Sequence, residues 1–194
     1  MELEKIHELI INDSQNQSYT SKQIPPVYQV SPDAKILIIG QAPGSHVAKT
    51  FIPFNDKSGE KLMQWLRIDK NIFYSNQIAI LPMDFYYPGK GKTGDLPPRK
   101  FISEKYHHLF LELMPQIQLT ILTGKYAIDH YLKNQTYKNL TETVYHYQEY
   151  LPEYFPIVHP SPLNFRWYAK NPWFEQDVIP VLQQLVNEII EYPQ

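Results

Sequence analysis

Cysteine is absent from this chain of 194 residues. Disulfide bonds and any zinc or iron–sulfur site with cysteine ligands are therefore excluded. The histidines do not compensate, because His107, His108 and His146 lack the spacing of metal ligands. We expect neither a metal nor a cofactor.

Long apolar runs are also lacking, since none approaches the ~20 residues that a membrane-spanning helix requires. The segment from Met1 to Ile6 alternates charged with apolar residues, which is unlike a secretory signal. The sequence therefore predicts a protein of the cytoplasm that makes no membrane contact.

The chain carries little net charge. Its Lys and Arg total 18 and its Asp and Glu 20, which gives a formal net charge of -2, whereas nucleic-acid-binding domains are often basic. One segment nevertheless contains Lys90, Lys92, Arg99 and Lys100, opposed only by Asp95. It is either a basic rim that contacts a few phosphates or a solvated loop.

Four short apolar runs predict β-strands, and they lie at residues 35–39, 77–81, 119–122 and 155–158. Apolar residues at helical spacing predict helices at residues 2–11, 57–67, 98–114, 125–132 and 172–190. Residues 12–20 are polar and predict a loop.

Strands that alternate with helices predict right-handed crossovers and an α/β fold. We expect a three-layer sandwich with a central four-stranded parallel sheet flanked by helices. Hydrophobic residues make up 43% of the chain and charged residues 20%, which is typical of a soluble globular protein. Residues 1–194 are therefore expected to form one domain, with a monomer as the default.

Two of the predicted strands end in turns rich in glycine or proline. The first strand is followed by Gly40-Gln41-Ala42-Pro43-Gly44, and the last by His159-Pro160-Ser161-Pro162-Leu163-Asn164. Open α/β sheets place ligands at the carboxyl ends of their strands. We therefore expect both turns to line a single crevice.

These two turns together resemble the motifs of the uracil-DNA glycosylase superfamily, a Gly-x-x-Pro turn after the first core strand and a His-Pro-Ser turn after the last. Pro53-Phe54 with Ser58-Gly59 resembles the family's Pro-Phe segment and the helix start that follows it. The first turn is most similar to that of the iron–sulfur branch, whose cluster a chain without cysteine cannot hold. The segment at residues 81–99 resembles a less characterised bacterial group of the superfamily.

The resemblance implies catalytic roles. His159 would donate a hydrogen bond to a pyrimidine carbonyl oxygen as the glycosidic bond breaks. Gln41 and Ala42 belong to the turn that handles water, but Ala42 stands where other branches have aspartate or asparagine. The water would then be positioned by the backbone near Gln41 or by another carboxylate, Asp56 or Asp84, although either aspartate could instead cap a helix or a turn.

The resemblance also implies contacts with the base and with DNA. Phe54 would stack on the extruded base, beside Ala42, and an amide of Asn76 or Gln77 would read the pyrimidine edge. Leu163 is similar to the apolar wedge that fills the gap left by a flipped nucleotide. Phosphates would be contacted by a group of small and basic residues, namely Gly44, Ser45, Ser161, Arg166 and Lys170.

The sequence therefore predicts a DNA glycosylase that hydrolyses the bond to a flipped damaged base, with uracil in DNA as the first expectation. We expect it to be monofunctional, because no lysine occupies a motif position suited to Schiff-base strand cleavage. Two alternatives stay open. One is an inactive relative that binds single-stranded or damaged nucleic acid, and the other a nucleotide- or phosphate-binding protein that uses residues 40–45 as an anion cradle. The lack of a Gly-x-x-x-x-Gly-Lys-Ser/Thr loop weighs against the latter.

Overall fold

The computed structural model describes residues 2–191, and its centre is a parallel sheet of four strands, which are β1 (Ile36–Gly40), β2 (Ile78–Pro82), β5 (Leu119–Thr123) and β6 (Tyr154–Ile157). Their order across the sheet is β2-β1-β5-β6. The short strands β3 (Lys90–Gly91) and β4 (Gly94–Asp95) pair in a separate hairpin. The predicted fold class is confirmed, and the predicted strand ends differ from the observed ones by one residue at most.

β1 lies at the centre of the sheet because its sequence suits burial on both faces. Its four branched aliphatic side chains are fully buried, and the strand pairs with β2 on one side and with β5 on the other. Continuous runs of this kind are typical of parallel sheets that helices cover on both faces.

Helices surround the sheet. They are α1 (Leu3–Ile11), α2 (Gln17–Thr20), α3 (Val47–Thr50), α4 (Lys57–Leu66), α5 (Lys70–Phe73), α6 (Lys100–Leu111), α7 (Lys125–Tyr131), α8 (Leu140–Tyr145), α9 (Phe165–Lys170) and α10 (Ile179–Ile189). The chain moves from β1 through α4 to β2, and then back across β1 through α6 to β5. Because parallel crossovers are right-handed, α4 and α6 cover opposite faces, where α4 packs against α10 and α6 against α1.

Several local predictions were wrong. Residues 12–20 are not a plain loop, because Asp13 caps a 3₁₀ turn at Ser14–Asn16 that continues into α2. The last helix is not continuous, since a π turn at Phe174–Val178 precedes α10. Pro180 in the first turn of α10 has no N–H to donate to the preceding turn, which favours a change of helix type there.

No helix within residues 2–191 is long and apolar enough to cross a membrane.

The strand order fixes where a ligand can bind. The connection that leaves β1 runs to β2, on one side, whereas the connection that leaves β5 runs to β6, on the other side. A crevice opens at the carboxyl ends of two neighbouring strands whose connections diverge in this way. The two glycine- and proline-rich turns follow β1 and β6 at this same edge of the sheet.

Candidate functional site

A cavity of about 470 Å³ opens at the carboxyl edge of the sheet. Three segments form most of its walls: the turn after β1 (Gly40, Gln41, Ala42, Pro43, Gly44), the start of α4 with the residues before it (Pro53, Phe54, Asp56, Ser58) and the turn after β6 (His159, Ser161, Leu163, Asn164). Residues from elsewhere in the chain complete the lining, namely Val27, Val47, Pro82, Thr93 and Asp95. The two turns that the sequence singled out therefore share one cavity.

The turn after β1 is fixed to the chain that follows β2. The backbone N–H of Met83 donates to the carbonyl of Gly40 at 2.9 Å, and that of Asp84 to the carbonyl of Gln41 at 3.1 Å. These bonds continue the pairing of β1 with β2 beyond the strand ends. The side chains of Gln41 and Ala42 consequently have a fixed backbone at the cavity wall.

Phe54 packs its ring against the backbone of β1. A β-carbon on Gly40 would lie 3.2 Å from the ring, so only glycine gives the ring this position without a shift. The ring also meets Phe73 edge to face, with centroids 6.3 Å apart. Phe54 is half-buried and lines the cavity, which is the position that the predicted stacking role requires.

Asp56 caps helix α4, which is one of the two roles that the sequence left open, and it also lines the cavity. One carboxylate oxygen, Oδ1, caps α4 by accepting from the N–H groups of Ser58 at 2.9 Å and Gly59 at 3.0 Å. The other oxygen, Oδ2, lies 3.8 Å from the point where a β-carbon on Gly44 would be. The cap therefore holds the carboxylate in place while one oxygen still borders the cavity.

Asp84 does not position water, which corrects the second option for that role. Its side chain is 0% exposed, and it does not line the cavity. Its oxygens accept from Nε and Nη2 of Arg99, both at 2.8 Å, and from the N–H groups of Tyr86 and Arg99. The carboxylate is saturated by these bonds.

The same ion pair removes Arg99 from the expected basic rim. Its guanidinium also donates to the carbonyl of Gln15 and lies over the rings of Tyr19 and Tyr86, 4.7 and 5.4 Å from their centroids. Lys90 and Lys92 remain exposed on the β3–β4 hairpin. The charge available for phosphates in this segment is therefore smaller than the sequence indicated.

His159 follows β6 and lines the cavity. Gly124, at φ +83°, allows the close approach of this turn, since its β-carbon would lie 3.2 Å from Cβ of His159. The backbone carbonyl of His159 accepts from the amide of Asn164 at 2.8 Å and from the hydroxyl of Tyr168 at 3.0 Å. These bonds hold the turn by its backbone and leave the imidazole for the cavity.

Burial lowers the pKa of His159 below its ordinary value, and the negative charge of Asp56 opposes that shift. The imidazole is therefore neutral at pH 7 and can donate from one nitrogen. His159 and Asp56 line the same cavity.

Asn76 and Gln77 cannot read a base here, which corrects the predicted edge-reading amide. Both residues precede β2, whereas the cavity lies beyond the other end of that strand. Five residues of strand separate the two edges by roughly 17 Å. The Asn76 amide donates to Asp33, and that of Gln77 to the carbonyl of Glu191. The amides at the cavity belong to Gln41 and Asn164.

The expected DNA contacts divide into two groups. Gly44, Ser161 and Leu163 line the cavity, and Leu163 stands out because the residue is 84% exposed. Ser45 and Arg166 are exposed but do not line the cavity. The structure thus brings the residue predicted to be a wedge, and two of those predicted to contact phosphates, to the cavity.

Sequence reasoning missed the contribution of the β3–β4 hairpin. It brings Thr93 and Asp95 to the cavity rim. A signal was present, because Lys92-Thr93 between Gly91 and Gly94 is a two-residue turn flanked by glycines. Two-residue strands are too short to show an alternating pattern.

Residues 2–191 contain no group of three or more His, Asp or Glu side chains arranged to hold a metal ion. His107 is instead buried between the hydroxyl of Tyr131, at 2.7 Å, and the carbonyl of Pro82, at 2.9 Å.

Comparison with known proteins identifies one family. The sequence profile of the Uracil DNA glycosylase superfamily matches residues 27–183. Among solved structures, the chain is similar to the solution NMR structure of a protein from Methanosarcina acetivorans that is provisionally named a uracil DNA glycosylase. The two sequences are 15% identical, the match covers 82% of this chain and 98% of that chain, and the TM-score is 0.47.

Proposed function

The chain belongs to the uracil DNA glycosylase superfamily, and on that premise we propose that it is a DNA glycosylase that hydrolyses the N-glycosidic bond of a damaged base, with uracil as its substrate. The observation that carries the proposal is that His159 and Asp56 line one cavity, with Oδ2 of Asp56 outside the helix cap that Oδ1 forms. The reaction needs such a pair, one group for the departing base and one for the water.

The departing base takes the electron pair of the glycosidic bond. Negative charge then grows on a pyrimidine carbonyl oxygen, where His159 donates a hydrogen bond. A preorganised donor of this kind contributes about 2.7–4 kcal/mol to the transition state. A neutral imidazole suits the role, because the burial that lowers its pKa also strengthens the bond it makes with a developing anion.

The sugar passes through an oxocarbenium-like state. A water molecule adds to its anomeric carbon and gives up one proton, which Asp56 Oδ2 accepts. The cap that Oδ1 forms on α4 fixes the direction of this oxygen before the substrate arrives. The products are the free base and an abasic site, with no covalent link to the protein.

In this proposal Phe54 stacks on the base, and the side-chain amides of Gln41 and Asn164 form hydrogen bonds with its Watson–Crick edge. Uracil presents acceptor, donor and acceptor groups along that edge. Asn164 uses its NH₂ on the carbonyl of His159, so its oxygen is left to accept from the N3–H of uracil. Gln41 supplies both a donor and an acceptor.

DNA is the proposed partner. Leu163 would occupy the space of the flipped nucleotide, as apolar wedges do in proteins that unstack DNA. Gly44, Ser45, Ser161 and Arg166 would contact flanking phosphates. We propose that one copy of the chain acts as a single domain of residues 1–194.

One specific observation favours a second candidate function. Ala42 leaves the turn after β1 without an acid or an amide at that position, and a glycosylase fold without a functional water site would still bind DNA. A nucleotide-binding role for residues 40–45 is disfavoured, because the helix that follows, α3, has only four residues and a correspondingly weak dipole.

The deciding experiment measures base release. Oligonucleotides with one uracil, hypoxanthine or xanthine, single-stranded or mismatched, are incubated with the protein and then treated with alkali. We expect the uracil oligonucleotide to be cleaved, and its strand to break only after alkali is added. That requirement for alkali marks a monofunctional glycosylase. No cleavage of any substrate, with tight binding retained, would favour the inactive DNA-binding protein.

The matched variants are His159→Ala and His108→Ala. We expect His159→Ala to slow single-turnover release by at least ~100-fold, with its melting temperature and DNA affinity retained. His108 is exposed and outside the cavity, so its variant should keep the wild-type rate. Unchanged release by His159→Ala would refute the role of this residue.

A further inference from the structure

The β3–β4 hairpin carries an acidic side chain to the cavity. Lys90 pairs with Asp95 and Gly91 with Gly94, and the N–H of Leu96 closes the base of the hairpin on the carbonyl of Gly89 at 2.8 Å. Asp95 is exposed to solvent and lines the cavity. Its place is therefore set by backbone pairing on both strands.

One carboxylate oxygen of Asp95 accepts a hydrogen bond from the protein, and the other faces the cavity. The hydroxyl of Tyr87 donates to Oδ1 at 3.1 Å. Oδ2 lies 4.0 Å from the point where a β-carbon on Gly44 would be. Asp95 thus repeats the arrangement of Asp56, in which one oxygen is bound by the protein and the second faces the turn after β1.

Both open oxygens converge on the same point. Oδ2 of Asp56 is 3.8 Å and Oδ2 of Asp95 is 4.0 Å from the position of a β-carbon on Gly44. Because Gly44 has no side chain, the space between the two carboxylates is free. This space lies two residues beyond Ala42, where the turn itself provides no group to hold water.

We propose that Asp95 is a second water-orienting carboxylate of this glycosylase, and that it acts together with Asp56. The proposal rests on the proposed function. A water molecule beside Gly44 donates one hydrogen to each carboxylate, which directs its lone pairs at the anomeric carbon. The C–N electron pair leaves with the base, and one water proton passes to Asp56 as the water oxygen then bonds to the anomeric carbon. The charge of Asp95 meanwhile stabilises the cationic sugar.

The first test is Asp95→Asn, with the single-turnover rate of uracil release and the Kd for the oligonucleotide measured separately. We expect the rate to fall about 10²-fold, as for loss of a group that handles a proton or its charge. The Kd should not weaken, because removal of a negative charge near phosphates reduces repulsion. Asp177→Asn, exposed and outside the cavity, is the matched control and should change neither quantity.

The second test is Gly44→Ala, which puts a methyl group into the proposed water space. Its distances from the two carboxylates are ordinary contacts, and the φ of Gly44 is not in the left-handed region. The melting temperature should therefore be retained while the rate falls. The double variant Gly44→Ala with Asp95→Asn should release uracil no more slowly than the slower of the two single variants. The reason is that both changes disturb the same water molecule.

The outcomes separate the two proposals. If the wild-type protein releases no base, both proposals fail. If it releases uracil and Asp95→Asn does so at the wild-type rate, only the role of Asp95 fails. The role of Asp95 would also be overturned if Asp95→Asn weakened the Kd for the oligonucleotide but left the rate at saturation unchanged. That pattern belongs to a residue that only binds DNA.

Discussion

A β-carbon on Gly59 would lie 1.7 Å from the carbonyl oxygen of Phe54. Helix α4 therefore begins in direct contact with the backbone of Phe54, whose ring is proposed to stack on the base. Asp56 lies between the two and caps the same helix through the N–H of Gly59. The spacing from Pro-Phe to Ser-Gly in the sequence is thus a steric requirement of the cavity wall.

Gly59→Ala should consequently be among the most damaging small substitutions in this protein. The added methyl group has to displace backbone rather than a flexible side chain, so we expect a loss of about 3 kcal/mol of unfolding free energy or more. Phe54 should also move away from β1. Urea unfolding gives the free energy, and uracil release by the folded fraction reports on the displaced ring.

Glu60→Ala is the control, since it changes the next residue of α4 at an exposed position. It should alter the unfolding free energy by less than about 0.5 kcal/mol. If Gly59→Ala were equally mild, the contact between α4 and Phe54 would not be the constraint inferred above.

The sheet was predictable because each strand carries its own signal. Ile36 to Ile39 are all fully buried, so their apolar run is continuous, and helices separate such runs. The joint location of the two turns then followed from topology, since the carboxyl ends of parallel strands lie at one edge of the sheet.

The misplaced residues have two different explanations. Asn76 and Gln77 precede β2, so the rule that places the two turns at the carboxyl edge of the sheet places these amides at the opposite edge. Asp84 lies at the correct end, yet Arg99 saturates it. That pairing joins residues that are not neighbours in the sequence, and a local pattern does not encode it.

The Asp84–Arg99 ion pair leads to a prediction about stability. Arg99→Met keeps an unbranched side chain between Tyr19 and Tyr86 but leaves a carboxylate that is 0% exposed without its cation. Removal of one partner from a buried pair costs about 3–5 kcal/mol. Urea unfolding should show a loss of this size, and adding Asp84→Asn to Arg99→Met should recover part of it.

Lys100→Met serves as the comparison, because Lys100 is the exposed neighbour of Arg99. It should leave the unfolding free energy within about 0.5 kcal/mol of wild type. A loss below about 1 kcal/mol for Arg99→Met, with no recovery in the double variant, would mean that the pair does not hold this segment against the N-terminal helices.

His107 makes the protein sensitive to acid. Burial lowers its pKa from 6.5 to about 4, although the bond to the carbonyl of Pro82 opposes the shift. Between these two values the unfolded chain binds a proton that the folded chain does not. The neutral His107 therefore contributes up to a few kcal/mol to the unfolding free energy. This contribution is complete above pH 6.5 and is lost as the pH falls toward 4.

Urea unfolding from pH 7.5 to 4.5 measures this loss, with His107→Gln and His108→Gln as the pair of variants. His107→Gln should be less stable than wild type at pH 7.5, but the difference should shrink on acidification because glutamine does not titrate. His108 is exposed, and its variant should follow the wild-type curve. A difference for His107→Gln that is independent of pH would contradict the assignment.

The last prediction concerns the pair on which the proposed chemistry depends. Burial lowers the pKa of His159 and the charge of Asp56 raises it, so removal of that charge should lower the pKa further. Asp56→Asn is suitable because asparagine caps a helix as well as aspartate does, which preserves α4. An NMR titration of the His159 imidazole measures the pKa directly, with Asp177→Asn expected to leave it unchanged. If Asp56→Asn also left it unchanged, the carboxylate would not share an electrostatic environment with the imidazole, and Asp56 could not act on water beside a base bound to His159.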